Sequence, residues 1–535
     1  MVRLVTTAIT TTAVLAACGA DSTDPETASS GFDVATNGFS FANYGDDAAV
    51  TNLDPAAMRA IFGDQVCARV AGDTCTLQPT AAEWMKQQND DMGGGHCFGL
   101  AGLSWAMFDG AVSPERYGST TAAELKLPDN RALQTDIAAV FVTQSTSPTM
   151  DTKVVQPPSQ AIATLEEAWR RGDGFTMAIF NIKDGEPVDG HAVTPISIKP
   201  LDNGRTGIVL YDNNYPGEPQ TMEVDTAAET WTYTTSSDPG EEPQQYVGGA
   251  DNPFELWPVA PMLGPQNCPF CESGEGSEAT GVAGARKPVT SGSDFTTVTL
   301  NQQANAAGVA ITVTDDAGQP IPGAQPISPL SGPGGSPSAT RVPKDRPFVV
   351  RVDGAALTQQ AEADLSIIGP GYSYGIDTFT VGVGEVDTIR FDPANKQVAY
   401  TTTSESAPDI GLTLDGEVSY GFIIGGLALP GGGTVTVTLD EAAQTVSATA
   451  GASGQPSIDF DIERIDAQGE DAFGSEPIDL APDEALVIEY GAWVPGGATV
   501  PVGIAAAGST TITERLDVAA EVPADTTPTP STNTN

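Results

Sequence analysis

Positive charge is scarce in this chain of 535 residues: 23 lysines and arginines stand against 70 aspartates and glutamates, a formal net charge of −47. Phosphate backbones are gripped by clustered Lys and Arg, and no such cluster is present, so nucleic acid is not expected as a partner. The acidic residues are spread along the chain and do not form a tail, which describes solvated faces on a self-repelling surface. Histidine is nearly absent as well, with His96 and His191 the two copies. After the N-terminus no run of about twenty apolar residues occurs, so no other spanning helix is expected. Metal-binding patterns are also missing. No cysteine and histidine spacing supplies a zinc ligand set. No calcium-loop motif is present, which leaves acidic turns such as Asp315-Asp316 as solvated turns. No cofactor and no metal are expected.

The N-terminus reads as an export signal. Arg3 is a short positive region, Leu4 to Val14 an apolar, Thr-rich core, and Leu15-Ala16-Ala17-Cys18 its end. This resembles a bacterial lipoprotein signal, in which small residues precede a cysteine that is lipidated. The resemblance implies a signal peptide over 1–18, a lipid on Cys18 and an exported protein anchored at the cell surface. An ordinary cleaved signal with an incidental cysteine is the alternative. Export permits disulfides. The six cysteines are Cys18, Cys67, Cys75, Cys97, Cys268 and Cys271. Cys67 and Cys75 close a short loop, and Cys268-Pro-Phe-Cys271 is a second local pair. Cys97 is left over, and a leftover cysteine in an exported protein is a candidate reactive thiol.

The length calls for roughly two to four domains. Residues 19–35 are small and polar, a tether. Residues 36–270 put helices first and antiparallel strands after, an α+β segregation. Helices are expected over Leu53 to Phe62, with Asp54 as N-cap and Pro55 first, and from Pro79 to about Asn89, with Thr80 and Glu83 in capping-box spacing. Others are expected from Cys97, over Arg131 to Val142, and over Ser159 to Arg171 before Gly172. Strands are expected over Phe175 to Ile182, His191 to Ile198, Thr206 to Asp212, Thr221 to Val224 and Glu229 to Thr234, with Asp202-Asn203-Gly204 as a hairpin turn. Residues 271–294 read as a linker rich in Gly, Ser and Glu. Alternating, β-branched segments follow, giving all-β sandwich domains over 295–405 and 406–520 and a disordered tail over 521–535.

The chemistry gathers around Gly93-Gly94-Gly95-His96-Cys97-Phe98-Gly99. The glycines allow a tight backbone, and the apolar run after them is a buried helix that places Cys97 at its N-terminus, where N–H groups and the helix dipole favour a thiolate. His191 lies in Asp189-Gly-His-Ala-Val. Folding the hairpin brings Asp212, Asn213 and Asn214 alongside it. A thiol needs a base in hydrogen-bond reach, and that base needs a third group to fix its tautomer. Cys97 as nucleophile, His191 as acid and base, and Asp212 or Asn213 as orienter satisfy that need. A buried structural cysteine and a structural strand histidine are the plain alternatives. His96 is expected to point away as support.

At these motifs the chain resembles the papain-like cysteine peptidase superfamily, including its bacteriocin-processing and transglutaminase-like branches. Gly95-His96-Cys97-Phe98-Gly99 opens a helix, Gly190-His191-Ala192-Val193 opens a strand, and Tyr211-Asp212-Asn213-Asn214 ends the next. The resemblance covers roughly residues 50–265. It implies a papain-like α+β domain and hydrolysis or transfer at a peptide or isopeptide bond through an acyl-thioester. The family's oxyanion glutamine falls where this chain has Asp90, Asp91 and Met92, so Gln88 is the candidate for that role, with the Cys97 N–H as the other donor. The implied partner is a peptide or protein substrate, such as a cell-wall or surface protein. A non-catalytic adhesion lipoprotein with a degenerate papain-like domain is the alternative reading.

Overall fold

The computed structural model describes residues 28–45, 50–183, 186–236, 242–272, 274, 276–284, 286–290, 292–302, 308–327, 339–450, 457–509 and 511–520. The expected signal over 1–18 with Cys18, the first part of the tether and the tail over 521–535 lie outside the described residues.

Local signals set the helices of the N-terminal half. Helix α1 (Pro55–Phe62) is capped by Asp54, whose side chain accepts from the Ala57 N–H. Helix α2 (Pro79–Asp91) departs from its expected cap, because Gln78 is the N-cap. Thr80 lies inside the first turn and turns outward, its N–H to Asp415 and its hydroxyl to Thr413. Helix α3 (Cys97–Phe108) is apolar on every side and is buried from Cys97 through Met107. Helix α4 (Arg131–Val142) is capped by Asn130. Helix α5 (Pro158–Arg171) ends on Gly172 at φ 85°, a left-handed position that favours glycine.

The strands are β1 (Val154–Gln156), β2 (Phe175–Lys183), β3 (Glu186–Pro200), β4 (Thr206–Tyr211), β5 (Gln220–Asp225), β6 (Thr230–Thr235), β7 (Gln244–Gly248) and β8 (Phe254–Pro258). They form an antiparallel sheet in the order β7-β6-β5-β4-β3-β2-β8-β1. The expected hairpin joins β3 to β4, with Thr194 opposite Tyr211. Helix α3 lies between this sheet and α4. Thr194 Oγ1 donates to the Ala101 carbonyl, and a Cβ added to Gly99 would come within 2.2 Å of the Ile137 carbonyl oxygen. Residues placed at the end of the tether are part of this body: Ala28–Ser29 pairs with β3, and Phe32 and Val34 are buried. Both expected disulfides are formed, Cys67–Cys75 and Cys268–Cys271, and Cys97 is in neither.

The C-terminal half is all β. Two antiparallel sheets, of ten and nine strands among the described residues, enclose one apolar cluster running from Val298 to Ile504. The break expected near residues 400–410 falls between strands that pair across it. Tyr372–Val381 pairs with Asp409–Leu414 in one sheet, and Gln397–Thr401 pairs with Thr434–Asp440 in the other. The two expected sandwiches therefore share their sheets and their core. The segment expected as a linker is tied down in part: Glu278–Ala279 pairs with Lys287–Pro288, and the N–H groups of Thr280 and Gly281 reach the Ala60 carbonyl. The two halves meet along α2 and at Gly371, whose N–H donates to the Phe270 carbonyl at 2.8 Å.

Candidate active site

Cys97 is the first residue of α3, and the loop before it is held from the side. Gly95 has φ 143°, and a Cβ there would come within 2.9 Å of Asn43 Nδ2. Asn43 Oδ1 accepts the His96 N–H at 2.8 Å, and the Asn43 N–H donates to the Asn213 carbonyl at 2.9 Å. His96 points into this support. Its Nδ1 lies 2.7 Å from the Tyr44 carbonyl, its Nε2 lies 2.8 Å from Asn52 Oδ1, and its ring stacks on Tyr44. Burial pushes the His96 pKa down to about 4, with the bond to the Tyr44 carbonyl working the other way. A neutral ring has a single N–H to donate, and its contacts with the Tyr44 carbonyl and Asn52 anchor the loop.

His191 sits on β3 opposite Ile179 of β2. Its Nε2 is 2.8 Å from Asp212 Oδ1. Asp212 directly follows β4, and its oxygens are fully used. Oδ1 also accepts the Asn214 N–H at 2.9 Å, while Oδ2 accepts the Tyr233 hydroxyl at 2.7 Å and the Thr235 hydroxyl at 2.9 Å. The Cys97 side chain also interacts with His191 and helps to raise it. With Nε2 given to Asp212 and no hydrogen-bond partner at Nδ1 among the described residues, Nδ1 is the ring nitrogen left for the sulfur.

Burial disfavours charge on both ring and carboxylate, yet their mutual attraction outweighs it. His191 is raised above its ordinary value by the Asp212 charge, the bond to it and Cys97. Asp212 is lowered by His191 and by its own hydrogen-bond donors. The two possible orienters thus separate: Asp212 bonds the ring, while Asn213 is a strut. Asn213 Nδ2 donates to the Cys97 carbonyl at 3.1 Å and to the Ala192 carbonyl at 3.0 Å, tying α3 to β3 beside the ring.

Gln88 is placed elsewhere. Its Nε2 donates to Asp91 Oδ2 at 3.1 Å, and its Oε1 accepts from the Ser145 hydroxyl at 3.2 Å. Burial pushes the Asp91 carboxyl up to about 8, aided by the Asp90 charge, so Gln88 serves a buried acid at the end of α2. Gln88 lies off the site because α2 runs on to Asp91 and turns this face toward Ser145, after α4. Sequence reasoning also missed Asn43, Tyr233 and Thr235. Asn43 belongs to no regular element. Tyr233 and Thr235 lie on β6, two strands away from β4, a distance that alternation along one strand does not reveal.

Cys97, His191, Asp212 and Asn213 have no exposed surface. A thiol beside an imidazole that a carboxylate holds in place is the arrangement for nucleophilic attack on an acyl carbon, once an acyl group can reach it. Among the described residues no group of three or more His, Cys, Asp or Glu side chains is placed to hold a metal ion, and no helix is long and apolar enough to cross a membrane. Compared with family models, curated proteins and solved structures, the chain matches none.

Proposed function

We propose that this is an exported thiol hydrolase or acyltransferase, anchored at the cell surface through lipid on Cys18, whose N-terminal half is a papain-like α+β domain. The observation that carries the reading is the buried His191–Asp212 bond beside Cys97. His191 takes the Cys97 proton as Sγ bonds the carbonyl carbon of a peptide or isopeptide. The Cys97 N–H, at the start of α3, stabilises the oxyanion. The carbon–nitrogen bond then breaks, and the ring returns the proton to the leaving amine. The thioester left on Cys97 passes its acyl group to water in hydrolysis or to an amine in transfer, with His191 accepting the attacking group's proton. The substrate is a peptide or protein, with cell-wall and surface proteins the accessible class for an anchored enzyme.

Complete burial of the sulfur requires the residues packed around it to open before substrate enters. The same burial favours a second reading, a non-catalytic surface-binding lipoprotein in which the triad is a structural remnant. Intact-mass measurement during incubation with acylated peptide amides separates the two. The enzyme reading expects an acyl adduct on the peptide containing Cys97 that hydroxylamine releases. Absence of any adduct across a panel of acyl donors, with the fold intact, supports the binding reading.

A further inference from the structure

A second feature lies where α2 meets the outer face of the larger sandwich sheet. Strands alternate their side chains, and with Tyr374, Ile376, Leu412, Phe422 and Ile462 turned into the core, their neighbours face outward. Four of those neighbours are glycines. Gly375 pairs with Gly411, Thr413 with Gly421, and Asp461 with Gly474. Removing side chains from this stretch opens a trough of about 700 Å³, walled on one side by Pro79, Glu83 and Lys86 of α2. Ile423 stands on its floor, half exposed.

The rim is strongly acidic. Glu83, Asp377, Asp461 and Glu463 line it, and the one lining cation among the described residues, Lys86, is paired with Asp90 at 3.2 Å. Further along the same face, Asp409 and Asp459 flank Gly425, where an added Cβ would lie 3.3 and 3.0 Å from their carboxylates.

We propose that this trough binds an extended, lysine- or arginine-bearing segment of another protein. The floor suits the aliphatic stems of such side chains and the rim suits their charged heads. Charge complementarity also rules out nearer occupants. A second copy of this chain carries a net charge of −47 and is repelled. The chain's own ends do not fit either: residues 521–535 hold no Lys or Arg, and residues 1–27 hold Arg3 alone. The surface does not depend on the chemistry of Cys97.

Fluorescence anisotropy with a labelled eight-residue peptide of alternating lysine and alanine tests the proposal on the full chain in physiological salt. Asp461→Lys with Glu463→Lys should weaken binding by about tenfold or more. Glu218→Lys with Asp251→Lys, which makes the same change in net charge on exposed loops of the other half, should leave it within about twofold. Gly421→Leu fills the floor without altering charge, and its Cβ meets nothing closer than 3.8 Å. It too should weaken binding. Equal losses in both charge pairs, an unaffected Gly421→Leu variant, or no binding by the wild type would overturn the proposal.

Discussion

Cys97→Ala should eliminate turnover of every amide the protein processes, by a factor on the order of 10³–10⁶, while the chain still folds. The range reflects how triad members act as a unit: without the nucleophile no thioester forms, and only binding and oxyanion stabilisation remain. The fold should survive because the tie between α3 and β3 runs through the Cys97 carbonyl, which Asn213 holds and which alanine keeps. A rate assay paired with a melting curve checks both halves of the expectation. Residual turnover within about tenfold of wild type would move the chemistry away from the sulfur.

The second large effect belongs to Asp212. Its carboxylate collects His191 Nε2, the Asn214 N–H and the hydroxyls of Tyr233 and Thr235 in a site with no exposed surface. Asp212→Ala leaves those donors unanswered and the imidazole without its counter-charge, a loss of about 3–5 kcal/mol of stability. Asp212→Asn should be milder, since an amide oxygen can still orient the ring and the hydroxyls can accept from its nitrogen. The pH dependence has a definite sign. Asp212 is lowered in the fold, so its contribution is full above its unfolded value of about 4 and disappears as pH falls through the folded value. His191 is raised, so its contribution is full below about 6.5 and is lost as pH rises through the folded value. Denaturation of wild type and Asp212→Ala should therefore converge in acid and differ most between about pH 4 and 6.5, narrowing again as pH rises toward the folded His191 value. A constant difference across pH would mean the carboxylate acts through packing alone.

Much of the local structure is legible in the sequence because its causes are local. Asp54 before Pro55, Gly172 after Arg171 and the apolar run after Cys97 each mark a boundary with residues that touch it. The site is legible for a related reason: one hairpin places His191 and Asp212 together, and its turn is written in Asp202-Asn203-Gly204. Causes that reach across the chain are not legible. Thr80 looks like a cap until Asp415 and Thr413 are seen to hold it. Residues 400–410 look like a boundary because turn residues cluster there, yet pairing partners on either side carry both sheets through. Gln88 sits at a plausible spacing from Cys97, but the facing of α2 is set by its packing, and the amide goes to Asp91 and Ser145.

The central claim is that the Cys97 sulfur and the His191 ring work as a pair. Its most direct test is the rate of Cys97 alkylation by iodoacetamide at neutral pH, followed by intact mass, in Asn43→Ala chains that carry either His191 or His191→Gln. The shared Asn43→Ala change removes the side chain that accepts the His96 N–H and so loosens the loop before Cys97 equally in both. The account expects alkylation to be at least about tenfold slower with glutamine, because the base that draws the thiol proton is gone. Equal or faster alkylation without the imidazole would contradict it.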